Sequence, residues 1–576
     1  MVTAGAVGGW LEGGRGGLGV RRWTVSMRPE SFQRIPAETV RTARAACPKG
    51  TPVMRMRDRL DVVFADGDFS DLYPADGRPG LSPGQLALVS VLQFAENLSD
   101  RQAADAVRTR IDWKYGLGLE LDDPGFDYSV LCEFRARLAE GDAADRLLRV
   151  MLQRLVEAGL LKAGGRQRTD STHVLAAVRN LGRLELVGES LRAALEDLAE
   201  ADEQWLVPLL EPEWGKRYGR RVEIGKIPGG KPAVAALAET IGRDGQKILT
   251  ALWAQGAPVR LRLLPQVDIL RRVWAHQYHW DPRGRLRWRE GSALPPASLR
   301  FDSPYDTDAH YCVKRGTAWR GYRVHVTETC DDPDRPNVVV HVATTIATVQ
   351  DGELTDRIHQ DLAGQAMLPG EHVVDSAYVT AGKIERARRV HHVELLGPLD
   401  VDHSHQARAR QGFDKSSFTI DWDKQEAICP QGHLSTGWGP MHSGGYEYIQ
   451  IGFDRATCLA CPVRPQCTNS AVYPRSIALL PRPLHEIQTR NRLDQATEQW
   501  QRRYAIRAGI ESTLSENVRA HGLRRTRYRG VRETHVQHVL TALACNVTRI
   551  ADWLDTTPRA HRRATRLHTL CASVTT

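Results

Sequence analysis

The chain has 576 residues, 41% of them hydrophobic and 26% charged, a globular composition that excludes a disordered chain and leaves room for roughly two to four domains. Its 78 Lys and Arg exceed its 69 Asp and Glu, for a net charge of +9, so the clustering of that excess decides where an anionic partner would bind. The absence of any apolar run of about eighteen residues excludes a spanning helix, and ten mostly scattered cysteines in a chain of this size point to a reducing interior, hence the cytoplasm.

Residues 1–34 read as a flexible tail. They begin MVTAGAVGGWLEGGRGGLGVRRWTVS, Gly-rich and without the continuous apolar core of a signal peptide, and Met27 stands as an alternative start. Residues 35–163 read as an all-helical N-terminal domain. Ser82 is an N-cap followed by Pro83 at the first helical position, and Ser99 with Gln102 makes a capping box. The two helices, joined at Glu96–Asn97–Leu98, resemble a helix-turn-helix that contacts DNA; the plain alternative is two helices of a small bundle. A further helix, Tyr128 to Leu138, is expected to expose Arg135 and Arg137.

At Gly164 the pattern turns to strand, with Asp170 at its centre. An aspartate followed by Ser171 and Thr172 weakens a strand, so it marks either a site or a capped turn. Residues 181–294 read as a helical insertion with Leu184, Leu191, Leu195 and Leu198 as its first stripe. A hairpin of 321–330 and 337–348 follows, then a helix at 354–362. In EHVVDSAY a valine pair runs into Asp375, at the strand end where α/β folds hold ligands. A helix at 381–389 and a strand at 392–396 complete residues 164–400.

Residues 401–500 read as an insertion with a cysteine cluster. Cys458-x2-Cys461 has the spacing of a zinc knuckle, and Cys429 with Cys467 completes a four-sulfur structural zinc site; His433 is a spare fifth candidate. The alternative is a set of buried or free thiols. Trp422 and Trp438 are expected in a core, and Asp306 and Asp308 as caps of local backbone.

Residues 501–555 contain YAIRAGIESTLSENVRAHGLRRTRYRG, from Tyr504 to Gly530. Ile506, Ile510 and Leu514 predict one helix with an apolar stripe, and Glu511 lies beside it. Arg502, Arg503, Arg507, Arg519, Arg524, Arg525, Arg527, Arg529 and Arg532 crowd the same stretch, a field suited to phosphate. Residues 556–576 form a basic tail. Asp170, Asp375 and Glu511, on strand, strand and helix, supply the hard oxygen donors that two magnesium ions need, although spacing does not establish that they converge.

The segments RTDST at Arg168–Thr172, VDSAY at Val374–Tyr378, and Tyr504, Arg507, Glu511 with RRTRYRG resemble the DDE transposases of bacterial insertion sequences, in the branch with a Tyr-Arg-Glu signature. The resemblance runs from about Arg55 to Asn546 and includes SPYDTDAHYCVKRG at Ser303–Gly316. It implies a ribonuclease-H-like mixed-sheet core, with Asp170 on the first strand, Asp375 just after the fourth and Glu511 on a later helix. It implies catalysis by these three through two Mg2+ or Mn2+ ions, with hydrolysis and strand transfer at terminal inverted repeats. Tyr504 and Arg507 are expected on the phosphates of the DNA ends, with Arg519, Arg524, Arg525, Arg527 and Arg529 nearby. Partners implied are double-stranded DNA, terminal and target, and a second copy in a synaptic dimer on the nucleoid. Where the signature expects a basic residue after Glu511, this chain has Val518, with Arg519 next. The rival functions are a decayed transposase acting as a repressor and an endonuclease without strand transfer.

Overall fold

The computed structural model describes residues 25–26, 34–74, 76–179, 181–221, 230–314, 316–555, 565–567 and 570–571. Most of both expected tails, and Met27, lie outside them. The helical region comprises α1 (Ala37–Ala46), α2 (Pro52–Leu60), α3 (Pro83–Ala95), α4 (Asp100–Thr109), α5 (Ile111–Leu117), α6 (Ser129–Leu138) and α7 (Ala143–Glu157). The caps lie where the sequence puts them. Ser82 Oγ accepts from the Gln85 N–H at the start of α3, and Ser99 with Gln102 closes a capping box on α4.

Arg135 and Arg137 correct the expectation of exposure, since both are buried. Arg135 pairs with Asp100 at 2.6 Å and lies over the Tyr528 ring, while Arg137 donates to the Leu72 carbonyl and lies over Tyr73. Helical periodicity cannot register partners that arrive from other segments, and a long arginine stem buries readily once its head is paired.

One mixed sheet is built from β1 (Gly164–Leu175), β2 (His310–Lys314), β3 (Thr317–Cys330), β4 (Val339–Ile346), β5 (Pro369–Val374) and β6 (Glu394–Leu396). The order is β6-β5-β1-β3, with β2 and β4 both pairing β3. β3 runs antiparallel to β1, β2 and β4, whereas β5 and β6 run parallel to β1. The expected hairpin is β3–β4, and β2 is an additional short strand. Helices α11 (Thr355–Gly364) and α12 (Ala381–His391) make the crossovers around β5.

Between β1 and β2 the insertion folds on its own core, with α8 (Arg183–Ala201), α9 (Lys231–Trp253) and α10 (Pro265–Gln277). Leu184, Leu191 and Leu198 are buried in it, with Leu195 partly so. The short hairpin of Tyr278–Trp280 and Leu286–Trp288, inside the segment expected to be helical, is held by the Tyr278 hydroxyl on the Ala238 carbonyl at 2.7 Å.

After a small sheet of β7 (Ser435–Ser443), β8 (Tyr446–Phe453) and β9 (Ser476–Leu479) come α13 (Arg482–Asp494), α14 (Glu498–Ala505), α15 (Gly509–Ala520) and α16 (Val531–Leu554). The last of these is the hub. It packs on α2, α3 and α7 on one side and on β4 on the other, so a continuous apolar core runs from Val53 to Ile550. Each large side chain buried there stabilises the fold by about 1.5–3 kcal/mol. Buried Asn546 supplies a polar anchor on this face, accepting from the Val339 N–H at 2.7 Å and donating to its carbonyl at 2.9 Å. The helical region and the sheet thus share one interior, which fixes the sheet's orientation to the arginine-rich segment between α15 and α16.

Candidate active site

Thr169 of β1 pairs in parallel with Val374 of β5, so the next residues, Asp170 and Asp375, stand side by side where β5 ends. Each is held by local backbone. The Ser171 N–H donates to Asp170 Oδ1 at 2.7 Å, and the Ala377 N–H to Asp375 Oδ1 at 2.9 Å. Beneath Asp170, Thr169 Oγ1 bonds both Thr327 Oγ1 and His372 Nε2 at 2.6 Å, which anchors the strand in the interior. Burial pushes the Asp170 carboxyl up to about 6, with Asp375 and Asp351 adding to the rise and the Arg507 guanidinium opposing it.

The arginine-rich helix is not continuous. It breaks into α14, a 3-10 turn at Ile506–Ala508 and α15. The buried Arg168 of β1 reaches into that break and donates to the Ile506 carbonyl at 2.6 Å. An α-helix would give that carbonyl to a backbone N–H four residues on. Gly509 makes room for the intrusion: a Cβ there would lie 2.0 Å from Arg168 Nη1. The break delivers the next turn to the carboxylates. Arg507 donates to Asp170 Oδ2 at 2.6 Å and to Glu511 Oε1 at 2.8 Å, so one guanidinium bridges the strand acid and the helix acid. Glu511 keeps 63% of its side-chain surface exposed, whereas Asp170 keeps 14%.

Three supporting residues escaped the sequence reading, Glu328, Asp351 and Arg549. Glu328 on β3 is wholly buried and takes Arg168 at 2.7 Å, Arg549 at 2.7 Å and the Thr513 hydroxyl at 2.6 Å, tying β1, α15 and α16 together. Asp351, just past β4, accepts from Ser171 Oγ at 2.9 Å beside Asp170 and pairs with Arg323 and Lys314. The only sequence signal was Arg168 standing two residues before Asp170. Glu328, Asp351 and Arg549 sit in unremarkable strand, turn and helix positions.

The expected DNA-contacting residues divide into two groups. Tyr504 stacks on Trp500 with ring centroids 4.8 Å apart and packs with Val373 and Leu396. Arg524 bonds Thr172 Oγ1 and the His173 carbonyl, and Arg527 bonds the Leu98 carbonyl and Asn97 while covering Phe94, so both guanidiniums brace the fold. Arg519 and Arg525 are exposed, and Arg529 is exposed over Tyr305. Val518 packs partly against the core, which accounts for an apolar residue there.

Cys429, Cys458, Cys461 and Cys467 line one cavity together with His433, and all four are free thiols. Burial raises the Cys467 thiol; Arg475 opposes this, and the other three thiols add to it. Among the described residues, no group of three or more His, Cys, Asp or Glu side chains is close enough to hold a metal ion. Trp422 and Trp438 pack edge to face beside this cluster, as expected of core residues. Asp306 accepts from the Tyr322 hydroxyl, and Asp308 accepts from the Val531 N–H at the start of α16. No helix among the described residues is long and apolar enough to cross a membrane.

Asp170 in the middle of β1 and Asp375 just past the end of the parallel β5, joined through Arg507 to a helix glutamate, form an acidic cluster in a mixed α/β protein. Two family models match the chain, "Transposase DDE domain" over residues 428–551 and "Transposase domain (DUF772)" over residues 41–137. The chain is a DDE transposase of the insertion-sequence type. The first match spans the cysteine cluster, Tyr504, Arg507 and Glu511 but neither aspartate, and the second spans α3 and α4. No curated protein and no solved structure matches the chain.

Proposed function

We propose that this transposase hydrolyses and rejoins phosphodiesters at the ends of its own element, with Asp170, Asp375 and Glu511 as the catalytic carboxylates. The observation that carries this reading is the Arg507 bridge, which brings Glu511 to Asp170 beside Asp375. A strand order with three antiparallel strands followed by two parallel to the first supports a ribonuclease-H-like core.

The donor chemistry suits a divalent metal, because all three groups offer only hard oxygens, but as they stand the three are not gathered closely enough to hold one, and a protein cation occupies the place between two of them. Asp170, Asp375 and Glu511 would hold Mg2+ or Mn2+, supplying Lewis acidity for in-line displacement at phosphorus. Exposed Glu511 and Arg519 border the surface that DNA would meet, whereas Tyr504 and Arg507, expected on the end phosphates, are held here by Trp500 and by the two carboxylates. The four thiols line one cavity and are the soft donors a structural zinc ion takes, but they are not drawn close enough to hold one as they stand; a zinc that closes the segment before α13 would have to gather them. Synapsis of two ends calls for a dimer.

The test is cleavage and strand transfer of a labelled duplex bearing the element's terminal repeats, with Mg2+, comparing wild type with Glu511→Ala and Asp375→Ala. Products from wild type alone support the reading. Binding without cutting in every protein supports a repressor, and cutting without joining supports an endonuclease.

A further inference from the structure

The segment HYCVKRG, from His310 to Gly316, lies far from the three carboxylates in sequence, yet its Lys314 ends β2 beside them. Lys314 Nζ pairs with Asp351 Oδ2 at 2.8 Å. The other oxygen of that carboxylate accepts from Arg323 at 2.6 Å and from Ser171 Oγ at 2.9 Å. Ser171 in turn holds Asp170 through its backbone N–H. Asp351 is therefore one residue removed from the candidate catalytic aspartate, and its charge acts on Asp170 directly.

Two cations on one carboxylate leave a surplus positive charge. Arg323 is buried and also donates to the Val349 carbonyl, so it neutralises Asp351 within the interior. Lys314 is different, with 42% of its side chain exposed. Burial works against the Asp351 carboxylate, but Lys314 and Arg323 outweigh it and hold the group below the usual carboxylate range. Asp351 remains ionised and acts as a fixed post for the ammonium. A lysine on an edge strand is ordinarily a mobile surface charge; here it is stationed at the rim of an acidic site.

We propose that Lys314 contacts a phosphate of the DNA strand entering the site, and that Asp351 is a positioning residue that fixes both Lys314 and Ser171. This rests on the reading of Asp170, Asp375 and Glu511 as the catalytic carboxylates. A polyanion approaching three carboxylates needs a cation on its own side of the site, and the Arg507 guanidinium is engaged with Asp170 and Glu511.

The experiment measures binding of the full chain to a fluorescein-labelled duplex carrying the terminal repeat that borders its coding sequence, across a salt series, then Mg2+-dependent cleavage of the same duplex. Lys314→Ala is expected to flatten the plot of log K against log salt by about one unit and to slow cleavage at saturating DNA by roughly a hundredfold. Lys314→Arg should keep most of both, and Asp351→Asn should slow cleavage. An unchanged salt slope in Lys314→Ala overturns the phosphate contact, and so does a loss shared by Lys314→Arg together with a fall in melting temperature. Wild-type protein that binds but never cuts counts against the three-carboxylate reading, while the salt slope still decides the role of Lys314.

Discussion

Arg507 donates to Asp170 at 2.6 Å across 337 positions of sequence, and its other terminal nitrogen holds Glu511 four residues away on the same segment. A guanidinium in that place does what a metal ion would do for two facing carboxylates, so protein cation and divalent ion compete. Removing Arg507 should strengthen Mn2+ binding to the DNA-free protein on the order of tenfold. Calorimetric titration of Arg507→Ala against wild type reads this directly, and equal or weaker binding by the variant would sink the idea.

Gly509 sits where Arg168 crosses the break between α14 and α15, with 2.0 Å between an added Cβ and Arg168 Nη1. Gly509→Ala should destabilise the protein by about 1–3 kcal/mol. It should also displace Glu511, two residues on, so that cleavage falls further than stability accounts for. Urea unfolding and cleavage assays on one preparation separate the effects; a variant as stable and active as wild type would show that Arg168 moves aside freely.

Glu328 carries Arg168, Arg549 and Thr513 on one fully buried carboxylate. Glu328→Ala leaves buried Arg168 without its acid and takes from Arg549 one of its two, Glu516 remaining, and should cost about 3–5 kcal/mol. Double-mutant cycles with Arg549→Ala would show strong coupling; additive losses would mean that the network is three independent contacts.

The four cysteines make a further prediction separable from catalysis. Protein purified without chelator should carry zinc, measured by elemental analysis, and Cys458→Ser with Cys461→Ser should lose it along with several degrees of melting temperature. Metal-free protein with unchanged melting in the double variant would favour buried thiols.

His325 and His538 are buried, and desolvation lowers both to about 3, with neighbouring histidines or Arg323 adding to the effect. His538 bonds the Thr344 hydroxyl at 2.7 Å, and His325 the Tyr378 hydroxyl at 2.6 Å. Because the folded pKa lies below the unfolded value, the unfolded chain takes up the protons first on acidification. Their contribution is complete above about pH 6.5 and declines as pH falls toward 3, at up to about 1.4 kcal/mol per unit for each group. Urea midpoints across that range should drop, and His538→Gln should flatten the drop; a parallel curve would exclude His538 as a source.

The sequence by itself determined many of the elements and marked the candidate acids. Ser82, Ser99 and Gln102 specify their helix starts because a cap acts within one turn, and the valines before Asp375 specify a buried strand because alternate or continuous burial is a local pattern. RTDST, VDSAY and the Tyr-Arg-Glu spacing marked Asp170, Asp375 and Glu511 as candidates. Tertiary structure decided what local patterns cannot encode. Whether an arginine faces solvent or the interior depends on a partner elsewhere: Arg135 met Tyr528, Arg137 met the Leu72 carbonyl, and Arg168 met Glu328 and broke a helix that its own periodicity predicts as continuous. Charge burial is favourable only when the opposite charge arrives from another part of the chain, and that meeting is made by the packing of α16 against both the sheet and the N-terminal helices.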